Sequence, residues 1–185
     1  MKKKLPIITG PTWLTISRIV LATVFTILIM VPETWSRITA LIVFIIAAIT
    51  DRIDGNWARK TKTVTPLGTL LDPIADKMLV NLAFLTLVYL GVVPLWIFAI
   101  ILVRDFAVDG MRIMLAQKQD TIAASFYGKA KTATQMFALI LLIANMTLQQ
   151  TPIAIIGNIL LYVALALTIF SGADYIIKGY KKHLR

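Results

Sequence analysis

Asp51, Asp54, Asp72 and Asp76 lie in one stretch, DRIDGNWARKTKTVTPLGTLLDPIADK, and make up four of the chain's nine acidic residues. On a helix, Asp51, Asp54, Gly55 and Ala58 occupy positions i, i+3, i+4 and i+7 and share one face. Gly68, Asp72 and Asp76 follow at i, i+4 and i+8, a second stripe with modest drift. The short segment from Lys60 to Pro66 sets the two stripes against each other, so the four carboxylates are expected to converge. Four negative charges in a partly dry site require either protonation or bound cations. Oxygen-only ligation without His or Cys suits a hard divalent ion such as Mg²⁺, Mn²⁺ or Ca²⁺. Two such ions would neutralise the four aspartates, and paired metals are a known device for displacement at phosphorus. The competing reading is a charge belt in which the acids pair with Arg52, Arg59, Lys60 and Lys77. Matched faces with small residues between the acids favour the metal. Gly55, Ala58 and Gly68 leave room for a bulky group to reach the backbone. Pro73 either opens a helix with Asp72 as its cap or lies inside a helix that began earlier.

These carboxylates are set in hydrocarbon. The 185 residues are 58% hydrophobic and 15% charged, with mean hydropathy +0.83, a composition that points to a membrane protein. Cysteine is absent, which excludes disulfides and thiolate chemistry. The opening MKKKLPIITGPTW does not read as a cleaved signal peptide. A net charge of +10 raises nucleic acid as a partner, but the basic residues flank apolar runs and form no basic stripe on a polar domain. Anionic headgroups or phosphorylated substrates fit that placement better.

The expected fold is an all-α integral membrane protein, a single bundle of six transmembrane helices. The spans are predicted at Thr12–Val31, Thr34–Trp57, Leu67–Leu90, Pro94–Ala116, Ala124–Leu148 and Pro152–Ile177, separated by turn sequences such as VPET, GVVP and QQTP. Short connections predict that consecutive helices are antiparallel neighbours. Residues 1–11 are set apart as an interfacial segment, 12–178 as the catalytic domain and 179–185 as a basic tail. With the N-terminus inside, only Arg37 of the 19 basic residues falls on the outer face. Both termini are therefore expected in the cytoplasm, with a polar cavity open to that side. Trp13, Trp35, Trp57 and Trp96 fall near span ends, as an interfacial belt should. His183, the sole histidine, reads as a tail residue.

A second constellation follows the aspartates. Arg104 lies about 15 Å along a helix from Pro94 and needs a partner at that depth. Asp105, Asp109 and Arg112 share one face, with Arg104 flanking it, and Lys129 and Lys131 stand beside Gly128 in SFYGKAKTATQ. Two arginines and two lysines make an anion pocket suited to a phosphorylated acceptor. Alternatively, the arginines pair only with Asp105 and Asp109, while both lysines snorkel to headgroups.

The pattern Asp51-x-x-Asp54-Gly55-x-x-Ala58-Arg59, followed after eight residues by Gly68-x-x-x-Asp72-x-x-x-Asp76, resembles the signature of the CDP-alcohol phosphatidyltransferases at every fixed position. The resemblance implies a cytoplasmic-membrane enzyme that moves a phosphatidyl group from CDP-diacylglycerol to an alcohol and releases CMP. It implies that Asp51, Asp54, Asp72 and Asp76 hold two divalent metals, Mg²⁺ or Mn²⁺. It also implies that Asp51, Gly55, Ala58, Arg59 and Gly68 bind CDP-diacylglycerol, that Asp76 is the general base, and that the chain forms a homodimer. PTWLTISR, VRDFAVDGMR and GKAKTATQM are similar to the branch of the family whose acceptor is sn-glycerol 3-phosphate and whose product is phosphatidylglycerophosphate. Thr12 stands where Asn is common there, and Asp105 where Glu is common. Arg104, Arg112, Lys129 and Lys131 are then the candidates for the acceptor phosphate, with Thr15 and Arg18 as weaker ones; Arg18 also reads as a topology anchor. Inositol phosphate or phosphatidylglycerol as acceptor, and a divalent-cation transporter, are the alternative readings.

Overall fold

Apolar runs interrupted by proline and glycine fold here into six helices: α1 (Gly10–Met30), α2 (Thr34–Thr61), α3 (Pro66–Tyr89), α4 (Leu95–Gln117), α5 (Phe126–Leu148) and α6 (Thr151–His183). The computed structural model describes residues 10–61, 66–117 and 126–183, with side chains described for 16–50, 77–115 and 126–180. Two compact units emerge, Met1–Leu90 and Gly91–Arg185. The turns carry the expected chemistry. Gly91, at φ 71°, follows α3, where the Leu90 N–H donates to the Thr86 carbonyl (3.0 Å). Gln149 takes the same left-handed conformation after α5, its N–H donating to the Asn145 carbonyl at 2.9 Å.

Several predicted ends shift. Helix α2 continues four residues past Trp57, because Ala58 to Lys60 favour helix and no proline intervenes before Pro66. Helix α6 runs on through the segment expected to be tail, to His183, over a lysine-rich sequence of the kind that suits a helix C-terminus. Pro73 lies inside α3, which rules out Asp72 as its cap; the helix loses the hydrogen bond that residue 73 would have donated. Pro94 sits just before α4, its carbonyl accepting from the Ile97 N–H at 3.1 Å.

In the N-terminal unit, α1 is the common partner. It packs along both α2 and α3, and among the described residues these contacts outweigh those between α2 and α3. One stripe of α1, Arg18, Ala22, Phe25 and Ile29, is buried. Phe25 meets Phe44 of α2 with ring centroids 5.3 Å apart, in a tilted arrangement. At the turn, the buried Ser36 hydroxyl donates to the Leu28 carbonyl at 2.6 Å and ties α2 back to α1. Ala83, Phe84 and Leu87 supply the buried face of α3.

In the C-terminal unit α6 takes the central place. Its contacts with α5 and α4 account for most of the packing, and among the described residues the backbones of α4 and α5 do not approach each other closely, meeting instead through long side chains. This departs from the expectation that consecutive helices are neighbours. The reason lies in α6, which carries small residues along its inner face. Gly157 lies under Leu142 of α5, Gly172 under Arg104 of α4 and Gly179 under Met111 of α4. A Cβ at Gly172 would come within 2.6 Å of Arg104 Cγ, so only glycine admits that approach. The pairs Trp96–Tyr162 and Arg104–Ser171 advance together along both chains, so α4 and α6 run parallel.

The outward faces are apolar. Ile42, Ile46, Ile159 and Phe170 are at least half exposed, while Lys131, Gln135, Thr168 and Ser171 are buried. Lipid as the surrounding solvent reverses the soluble pattern in this way. The hydroxyls of Thr23, Thr26, Thr39, Thr50, Thr86 and Thr134 donate to carbonyls four residues earlier, which satisfies them within their own helices. Helices α5 and α6 are long and apolar enough to cross a membrane, and only 33% and 28% of their apolar windows is buried within the protein. Shorter apolar segments lie at 16–30, 34–50 and 77–89. Trp35 and Trp96 are exposed, as interfacial residues should be; the side chains of Trp13, Trp57 and His183 lie outside the described ones.

Candidate active site

The aspartate motif is helical throughout its described backbone. Asp51, Asp54, Gly55, Ala58 and Arg59 lie in the second half of α2, and Gly68, Asp72 and Asp76 in the first half of α3. Asp54 stands seven residues before the end of α2, and Asp72 six after the start of α3. Asp51 and Asp76 each stand ten residues from the link between the helices. In a helical hairpin these offsets put the two pairs at matching heights, about 10 and 15 Å from the turn. The side chains of Asp51, Asp54, Gly55, Ala58, Arg59, Gly68, Asp72, Asp76 and Thr15 lie outside the described ones. Among the described residues, no group of His, Cys, Asp or Glu is placed to hold a metal ion. The donor set itself fits a hard divalent cation, being four carboxylates with no nitrogen or sulfur ligand.

Arg18 is 5% exposed and lies on the stripe of α1 that packs into its unit. That is not the place of a topology anchor reaching for headgroups, and the sequence reading is corrected on this point.

The cationic candidates are sorted by the fold of the C-terminal unit. Arg104 Nη1 donates to Asp105 Oδ1 at 3.0 Å, and Lys131 Nζ donates to the same oxygen. Two basic groups from α4 and α5 therefore share one carboxylate, with side chains only 16%, 5% and 14% exposed for Arg104, Lys131 and Asp105. Arg104 Nη2 donates to the Ser171 hydroxyl of α6 at 2.7 Å, so the cluster joins all three helices. Arg112 lies two turns further along α4, its guanidinium carbon 6.0 Å from the centroid of the Tyr175 ring, a cation–π contact. Lys129 is exposed. Residues two apart face opposite sides of a helix, so Lys131 and Lys129 cannot act as a pair. Lys131 does not snorkel, and Arg104 has a hydroxyl partner besides its neighbouring acid. The alternative in which both lysines snorkel and the arginines pair only with acids does not describe Lys131 or Arg104.

Sequence reasoning missed the polar stripe of α6. Gln135 Nε2 donates to Thr168 Oγ1 at 3.4 Å, and Thr168 Oγ1 donates to the Ala164 carbonyl at 2.6 Å. The Ser171 hydroxyl donates to the Thr168 carbonyl at 3.3 Å. Thr168, Ser171, Gly172 and Tyr175 recur at helical spacing in a helix otherwise rich in Ile, Leu and Ala, and that periodicity was the available signal.

Comparison with known proteins agrees with the motif. A sequence model of the CDP-alcohol phosphatidyltransferases matches residues 8–170. A protein of Bacillus subtilis (strain 168) named CDP-diacylglycerol--glycerol-3-phosphate 3-phosphatidyltransferase is 36% identical over 133 residues, covering 70% of this chain and 67% of that protein. Proteins of the same name from Rickettsia bellii (strain RML369-C) and Yersinia enterocolitica serotype O:8 / biotype 1B (strain NCTC 13174 / 8081) are 37% and 35% identical. The first covers 94% of this chain and 96% of the relative, the second 92% and 94%. The carboxylate spacing on α2 and α3 and the match across nearly the whole chain lead to one conclusion: this protein belongs to the CDP-alcohol phosphatidyltransferase family.

Proposed function

We propose that the chain transfers the phosphatidyl group of CDP-diacylglycerol to sn-glycerol 3-phosphate, forming phosphatidylglycerophosphate and releasing CMP, and so serves phospholipid biosynthesis. The relatives' shared name supports the reaction. The observation that carries the acceptor is the cluster in which Arg104 and Lys131 share the single carboxylate of Asp105. Two basic groups around one acid leave donors for a further anion, and a phosphate monoester is the matching chemistry. Serine or choline as acceptor would leave those buried donors without use.

The acceptor hydroxyl attacks the phosphorus that carries diacylglycerol. A bond forms from that oxygen to phosphorus, and the bond to the CMP oxygen breaks. Asp76 takes the hydroxyl proton. Arg104 and Lys131 hold the acceptor's phosphate, with Arg112 behind them over Tyr175 and Lys129 at the exposed rim. Thr15 and Arg18 are supporting candidates. Asp51, Gly55, Ala58, Arg59 and Gly68 bind the nucleotide end of the donor, the small residues leaving room against the backbone. Asp51, Asp54, Asp72 and Asp76 would hold two Mg²⁺ or Mn²⁺ ions, which when bound withdraw charge from the diphosphate and stabilise the leaving phosphate. In this reading the six helices all span the cytoplasmic membrane, with both termini and the charged helix ends on the cytoplasmic side. The donor's acyl chains then stay in lipid throughout. The working form is a homodimer.

Acceptor competition tests the proposal. Purified chain in detergent micelles is supplied with CDP-diacylglycerol labelled in its phosphatidyl group and with glycerol 3-phosphate, inositol phosphate or phosphatidylglycerol. Label is expected in phosphatidylglycerophosphate; preferential transfer to either other acceptor overturns the acceptor assignment.

A further inference from the structure

The family match ends at residue 170. Ser171 and Gly172 follow at once, and both touch Arg104. Ser171 is 1% exposed. Its hydroxyl hydrogen is directed to the Thr168 carbonyl, which leaves an oxygen lone pair for Arg104 Nη2. Gly172 lets the stem of Arg104 lie directly across α6, where an added Cβ would meet Cγ at 2.6 Å and Nε at 3.1 Å. Packed there, Arg104 Nε is buried and has no hydrogen-bond partner among the described residues. A buried unsatisfied donor is a cost that stability alone does not explain. Asp105 fixes the third corner through Nη1. The guanidinium is thus held by a hydroxyl, a carboxylate and a glycine slot, and its remaining N–H groups have a fixed direction.

We propose that Ser171 and Gly172 are positioning residues that aim Arg104 at the anionic group of the acceptor and thereby set acceptor affinity. This rests on the reading above that Arg104 binds that group. Neither residue touches substrate; both act through Arg104. The effect is confined to the acceptor, because loss of the hydroxyl frees the guanidinium to swing without disturbing the donor's binding residues in α2 and α3.

The test is steady-state kinetics of the purified full chain in detergent micelles, with KM measured separately for glycerol 3-phosphate and CDP-diacylglycerol and with thermal unfolding as a folding control. Ser171→Ala is expected to raise the acceptor KM about tenfold, the low end for loss of one hydrogen bond to a charged group. The donor KM is expected to stay within about twofold, which is the split that separates positioning from general damage. Ser171→Thr, which keeps the hydroxyl, is expected to retain most of the affinity. Gly172→Ala, which displaces the arginine stem by another route, is expected to reproduce the acceptor-specific loss. In an Arg104→Gln background, Ser171→Ala should add nothing further. Equal rises in both KM values, or full additivity with Arg104→Gln, overturns the proposal. An acceptor KM that rises with Arg104→Gln but is unmoved by Ser171→Ala overturns this inference alone. An acceptor KM unmoved by Arg104→Gln overturns the acceptor reading itself, and this inference with it.

Discussion

The N-terminal unit carries four carboxylates on two successive helices; the C-terminal unit gathers cations from two helices onto one acid. In the first, α1 carries the packing, with Phe25 against Phe44 and Ala83, Phe84 and Leu87 closing the face of α3. In the second, α6 presents glycines where α4 and α5 approach and hydroxyls where a charge must be held. Like charges brought together need an outside counter-ion, whereas mixed charges can be partly satisfied within the chain. The contrast explains why the acidic half is read as a cation site and the basic half as a site for an anion that comes and goes.

If the division of labour holds, damage to each half has its own kinetic signature. The largest effect belongs to Asp76→Asn, which should lower kcat by about 1000-fold while leaving thermal unfolding nearly unchanged, since a general base contributes on that scale. A rate near that of the unaltered chain would remove Asp76 from proton transfer. Chelation with EDTA should silence the enzyme, and added Mg²⁺ or Mn²⁺ should restore it; undiminished turnover in excess chelator contradicts the carboxylate half of the contrast.

Lys131→Ala should raise the acceptor KM by about 10- to 100-fold, because it removes a charged hydrogen-bonding group from a buried cluster and leaves Asp105 with one partner fewer. Arg112→Ala should raise the same constant about fivefold, the scale of an exposed cation held in place over an aromatic ring. Lys129→Ala should change it by about threefold or less, since an exposed lysine acts mainly through screened attraction. In all three variants the KM for CDP-diacylglycerol is the control, and parallel movement of both constants would erase the distinction between the halves. The ranking of Lys131 above Lys129 is the sharpest part, because the sequence treats the two lysines alike.

Much of this was readable in the chain itself. The spacing of Asp51, Asp54, Asp72 and Asp76 follows from helical periodicity, and the described backbone is helical at all four positions. Helix α2 and α6 overran their predicted ends because local propensity continues past the apolar run that marks a span. The neighbours of each helix were not readable: short connections suggested that α4 lies beside α5, yet glycines 15 or more residues apart in α6 drew α4 and α5 to α6 instead. Arg18 looked like an anchor by its position near a span start, and only the packing of α1 turned it inward.

Sequence alone determined the chemistry available: which acids stand one helical turn apart, where the hydrocarbon begins and ends, and which cations follow. Those properties are local, set by the 3.6-residue repeat and by side-chain type. Tertiary structure decided which of those groups meet. Lys131 reaches Asp105 across 26 positions and Arg104 reaches Ser171 across 67, and such pairings depend on how close two helices can approach, which the small residues of α6 control.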